Sequence, residues 1–112
     1  MKKIILGIVA LVLVVIIVFG AISVFSWPGS NGNQVDIQFL SFHPGTLTVS
    51  AGTTVTWTDK DWFTMHNVIG DGWASPNLSR GGTYSYTFIL PGTYTYRCSH
   101  HSWMKGTIIV TA

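Results

Sequence analysis

The chain has 112 residues with one cysteine and four histidines, and only 9% of its residues are charged, a length that holds one folded domain. The formal net charge of +2 comes from Lys2 and Lys3, because Lys60, Arg80, Arg97 and Lys105 are matched by Asp36, Asp59, Asp61 and Asp71. A nucleic-acid partner therefore has no electrostatic footprint here, and no basic face is available to hold the domain against anionic lipid.

From Ile4 to Phe25 the sequence IILGIVALVLVVIIVFGAISVF carries no charge. As a helix it would run roughly 33 Å, enough to cross a bilayer's hydrocarbon core. Residues 1–26 are thus expected to form an N-terminal transmembrane anchor. The rival is a cleaved signal peptide, whose apolar region is shorter and ends at a small-x-small cut site; here apolar residues continue beyond Ala21 and Ser23. Lys2 and Lys3 precede the span and the next basic residue is Lys60, so the N-terminus is expected in the cytoplasm and the remainder outside the membrane. Cleavage would make the domain secreted or periplasmic instead. WPGSNGNQ, residues 27–34, reads as a flexible tether, with the folded domain over 35–112.

Short alternating segments bounded by Gly, Pro or Asn fill that domain. VDIQF (35–39) places Val35, Ile37 and Phe39 on one face, and LTV (47–49) ends at the turn Ser50-Ala51-Gly52. Residues 53–58 turn Val55 and Trp57 inward, and HNVI (66–69) reads as a short strand. After the breaker-rich connection 70–82, TYSYTF (83–88) aligns Tyr84, Tyr86 and Phe88. Pro91-Gly92 then leads into TYTYRC, where Tyr94, Tyr96 and Cys98 share a face, and GTIIVT (106–111) ends the series. Such a series predicts an all-β domain, a Greek-key antiparallel β-sandwich.

Cys98 has no partner for a disulfide in the chain. An unprotected thiol outside the cell oxidises or cross-links, so its sulfur is expected to be occupied. Cys98, His101 and Met104 are spaced C-x2-H-x2-M, which lets one loop aim three donors at one point, with a fourth from His43, His66 or His100. Thiolate, imidazole and thioether together suit a soft or borderline ion; two histidines, a cysteine and a weak axial methionine describe an electron-transfer copper site. Zinc gains little from a thioether, and calcium or magnesium would want oxygen ligands. A Cys-His nucleophile would need an orienting third group and an oxyanion pocket, neither of which is visible. A binuclear copper centre would need a second cysteine.

The segments FHPGTLTVSAGTTVTWTD (42–59), MHNV (65–68) and GTYTYRCSHHSWMKGTIIV (92–110) resemble the cupredoxins, the small blue-copper proteins, and in particular amicyanin and its plastocyanin relatives. The resemblance implies one copper ion per chain, cycling between Cu(I) and Cu(II). Its ligands would be His66, Cys98, His101 and Met104, with Asn67 tying the two ligand loops together. His100 departs from the family pattern, which commonly has proline before the ligand histidine, and neither it nor His43, read as a turn residue beside Pro44, receives a role. The implied function is a one-electron carrier with a mononuclear type 1 copper site, rather than an enzyme, and with no small-molecule substrate. Redox proteins would dock near His101 and Trp103, and the membrane would be engaged through residues 4–25. The alternative is a copper-binding protein for delivery, storage or sensing.

Overall fold

Apolar alternation places one face of each strand inward, and in this computed structural model, which describes residues 32–112, seven strands do so. The expected membrane span and residues 27–31 of the tether fall in 1–31, outside the described residues. The strands are β1 (Gln34–Gln38), β2 (Ser41–His43), β3 (Thr46–Ser50), β4 (Thr53–Asp59), β5 (Thr83–Phe88), β6 (Gly92–Arg97) and β7 (Lys105–Thr111). No helix occurs among the described residues. One sheet has the order β2-β1-β4-β5 and the other β3-β7-β6.

The sandwich is mixed rather than antiparallel throughout. β1 lies parallel to β4, and β3 parallel to β7, while β1–β2, β4–β5 and β6–β7 are antiparallel. The chain leaves the first sheet after β2 and returns to it at β4, and a parallel pair requires such a crossover because a tight hairpin cannot make one. Turn signals between neighbouring strands say nothing about these non-consecutive pairings.

Between the sheets lie Val35, Ile37, Val55, Trp57, Phe88, Tyr96, Ile108 and Val110. The outer face of β4 and β5 is polar, with cross-strand bonds Thr54–Thr87 at 2.7 Å and Thr56–Ser85 at 2.8 Å, the kind of pair that adds a few tenths of a kcal/mol, up to about 1, to a ladder. Trp73, from the long connection, is 8% exposed and stacks on Tyr86 at 4.8 Å and 16°. Its indole lies against the backbone of Gly70, where a Cβ would fall 2.0 Å from the ring.

Three expectations change at the site-bearing end. HNVI is no strand: His66 bridges Leu78 alone, and Ile69 bridges Ala74 and Arg97, so its backbone groups are paired singly rather than in a ladder. His43 closes β2 instead of a turn, its Nε2 2.9 Å from the Gln38 carbonyl. Phe39 leaves the inward face of β1 and is exposed, because Phe39 and Leu40 form the two-residue turn between the paired Gln38 and Ser41, each with φ near +55°. Such hairpin turns favour Asn-Gly, and left-handed backbone costs an ordinary residue roughly 1–2 kcal/mol. Here both turn amides donate to one carboxylate, Phe39 N to Asp61 Oδ1 at 2.8 Å and Leu40 N to Oδ2 at 3.0 Å.

Candidate metal centre

Cys98 follows directly on β6, whose last residue, Arg97, exchanges two backbone hydrogen bonds with Ile69 (2.8 and 3.0 Å). That exchange brings the 60–82 connection against the 98–104 loop. The short loop is closed by Cys98 N donating to the Met104 carbonyl at 3.1 Å, while Met104 N donates to the His101 carbonyl at 3.0 Å. His66 is pinned from the other side, its amide and carbonyl bonded to Leu78 at 3.0 and 2.6 Å.

These constraints bring three of the four sequence-predicted donors together. Cys98 Sγ lies 3.9 Å from His66 Nδ1 and 3.7 Å from His101 Nδ1, and the three ligand atoms are all within 4.8 Å of one another. Metal–nitrogen and metal–sulfur bonds of roughly 2.0–2.3 Å in a trigonal arrangement separate such donors by about 3.5–3.9 Å. The spacing therefore fits one ion held by all three. Met104, 2% exposed, is buried in the same loop and belongs to the hydrophobic core.

Asn67 joins the two loops in both directions: Nδ2 donates to Ser99 Oγ at 2.7 Å, and Ser99 N donates to Oδ1 at 2.8 Å. Its bonds thus go to Ser99, beside the thiol. His100 turns away, its Nε2 2.7 Å from Asn77 Oδ1 on the surface, and His43 stays on the β1–β2 hairpin. Neither is among the three clustered donors.

The two clustered histidines differ in setting. His66 is fully buried and His101 half-buried, with Thr64 Oγ1 3.4 Å from His101 Nε2 and the Trp103 ring 5.2 Å away. Burial, and then the neighbouring His66 and His100 rings, hold the His101 imidazole below the usual histidine range, with Asp61 opposing. Trp103 beside His101 is exposed, and so are Trp62, Phe63 and Met65 in the stretch that carries Thr64. Arg80 stacks on Trp62, its guanidinium carbon 3.2 Å from the ring centre.

One residue at the site has no place in the ligand spacing. Asp61 Oδ2 lies 2.7 Å from His66 Nε2, and both side chains are buried. Asp59, next to it, accepts from Asp61 N through Oδ1 at 2.9 Å. Burial pushes the Asp59 carboxyl above its ordinary range, and its Oδ2 has no partner among the described residues. The available signal was the pair of acids in DKD just before MHNV, in a chain with only four acids.

A buried thiol and two imidazoles converging at one end of a two-sheet β-sandwich, with a methionine buried in the loop that carries two of them, define a mononuclear metal-binding β-protein. The chain belongs to the plastocyanin/azurin family of copper binding proteins, whose model matches residues 30–111. It is 32% identical over 98 residues to amicyanin-alpha of Methylorubrum extorquens, covering 81% of this chain and 82% of that protein. It is 38% identical over 90 residues to the plastocyanin of Scenedesmus fuscus, covering 67% of this chain and 91% of the relative. Among solved structures, a purple cupredoxin from Nitrosopumilus maritimus superposes with a TM-score of 0.64 at 31% identity, covering 70% of this chain and 98% of the other. The cofactor of this family is copper, and the donor set described above fits it.

Proposed function

We propose that this protein is a one-electron carrier whose single copper would be held by His66, Cys98, His101 and Met104. The observation that carries the reading is the convergence of Cys98 Sγ with His66 Nδ1 and His101 Nδ1 at 3.9 and 3.7 Å. Copper supplies the change between Cu(I) and Cu(II), and a site between the geometries preferred by the two states suits electron transfer. The chain's part is to keep its donors in place. His66 is fixed by backbone bonds to Leu78, and the Cys98 loop by Met104 and by Asn67. Phe42, Val68 and Leu78 belong to the same buried core as Cys98 and Met104, which keeps water from the sulfurs.

His101 is the ring at the rim, so partners would dock over it and Trp103, with Trp62, Phe63 and Met65 extending the apolar surface. Docking led by apolar contact would depend weakly on salt. Residues 4–25 would tether the domain on the outer side of a membrane, with the N-terminus cytoplasmic; cleavage would release it. Delivery or storage of copper is favoured less, because those roles call for accessible donors, whereas Cys98 and Met104 are 1% and 2% exposed.

The test is a visible spectrum. Cu(II) added to the purified full chain should give an intense blue charge-transfer band at one ion per chain, and Cys98→Ser should abolish it while the fold survives. A colourless complex in the unaltered chain would contradict the proposal.

A further inference from the structure

Asp61 is built into the site from behind. His66 presents Nδ1 to Cys98 Sγ and holds Nε2 2.7 Å from Asp61 Oδ2. The carboxylate receives two backbone donors, Phe39 N and Leu40 N, at 2.8 and 3.0 Å. An amide donor on each oxygen uses the carboxyl group as an acceptor on both sides, which leaves Nε2 of His66 as the nitrogen that carries the proton. The turn that supplies both amides places Phe39 and Leu40 at positive φ, a conformation uncommon for residues other than glycine. Backbone held in such a region beside a site is a reason to look for a function in the group it supports. The same turn reaches the other histidine: Trp103 Nε1 donates to the Leu40 carbonyl at 3.1 Å, and the Trp103 ring lies against His101.

The geometry points to Asp61 as a positioning residue of the metal centre that acts through His66, fixing its tautomer and setting the reduction potential with a buried negative charge. This rests on the reading of His66 as a ligand. With its proton held on Nε2, the imidazole can offer only Nδ1 to the metal. A carboxylate on the far nitrogen of a ligating histidine fixes the ring and raises its basicity. Charge in a buried environment acts over a short path of low dielectric, so a fixed negative charge behind His66 favours the more positively charged, oxidised state. Asp59 contributes by accepting the Asp61 amide, which holds the backbone that carries the carboxylate.

Asp61→Asn keeps the shape and one acceptor oxygen and removes the charge. In the copper-loaded full chain it should retain the blue band and weaken Cu(II) binding roughly 10–100-fold, with Cu(I) binding weakened less. Each tenfold of that difference raises the reduction potential by about 59 mV. A potential that is unchanged or lower in a variant with an intact band overturns the proposal. Absence of the band in the unaltered chain would overturn the copper reading instead, and a second readout then decides: nitrogen-15 NMR of the metal-free, unaltered chain. It should show His66 as the Nε2–H tautomer alone, its proton slow to exchange. A mixture of tautomers, or the Nδ1–H form, overturns the assignment even if Asp61→Asn does not fold.

Discussion

His66 and His101 present the same ring nitrogen to the same sulfur, at 3.9 and 3.7 Å, yet the surroundings of the two rings are opposite. His66 is buried, bonded through its backbone to Leu78 and through its side chain to Asp61. His101 sits half-buried at the rim, with Thr64 and the exposed Trp103 for neighbours. One end of the donor set is thus part of the core and the other is part of the surface. That division suits a site that must keep its geometry while passing electrons to something outside.

The sharpest way to break the comparison is to remove each ring in turn. His66→Gly leaves the buried Asp61 carboxylate short of one hydrogen-bond partner, and an unsatisfied buried acceptor costs about 1–3 kcal/mol, more when it is charged. His101→Gly, at the rim, should cost about 1 kcal/mol or less, and added imidazole should enter the gap and restore the blue band. Added imidazole should do nothing for His66→Gly. Thermal melts and copper spectra check both, and equal rescue of the two variants would show that the rings are equally accessible.

A smaller effect separates Asp59 from Asp61. Burial raises the Asp59 carboxyl above its ordinary value of 3.8, so the folded chain holds that proton more tightly than the unfolded chain. Stability from this group is then full below pH 3.8 and is lost as pH climbs through the folded value. Asp59→Asn, which cannot ionise, should therefore melt higher than the parent at pH 7, with the gap closing toward pH 4. Melting curves across that range that run parallel would remove the argument.

How far this division was legible beforehand differs between its two sides. Strands β3 to β7 announce themselves by alternation and turn residues, and the C-x2-H-x2-M spacing announces three donors, because both signals are local. The support behind His66 is not local. Asp61 is held by amides of Phe39 and Leu40, 22 and 21 positions away, and a Phe-Leu turn at positive φ has none of the Asn-Gly chemistry that marks such turns. The parallel pairings of β1 with β4 and β3 with β7 likewise depend on which sheet the chain enters after each turn. Trp73 lies in the breaker-rich connection 70–82, where nothing local marks it as core, and only the stacking on Tyr86 shows it as a wall of the core.

The central claim is that one copper ion is gripped between His66, Cys98 and His101. A crystal structure of the copper-loaded chain, with the metal located by its anomalous scattering, tests it most directly. A single peak within bonding distance of Cys98 Sγ and of Nδ1 in both rings is the expected result. A peak at His100 or His43, or beside the Asp59 and Asp61 carboxylates with Cys98 left uncoordinated, would contradict it.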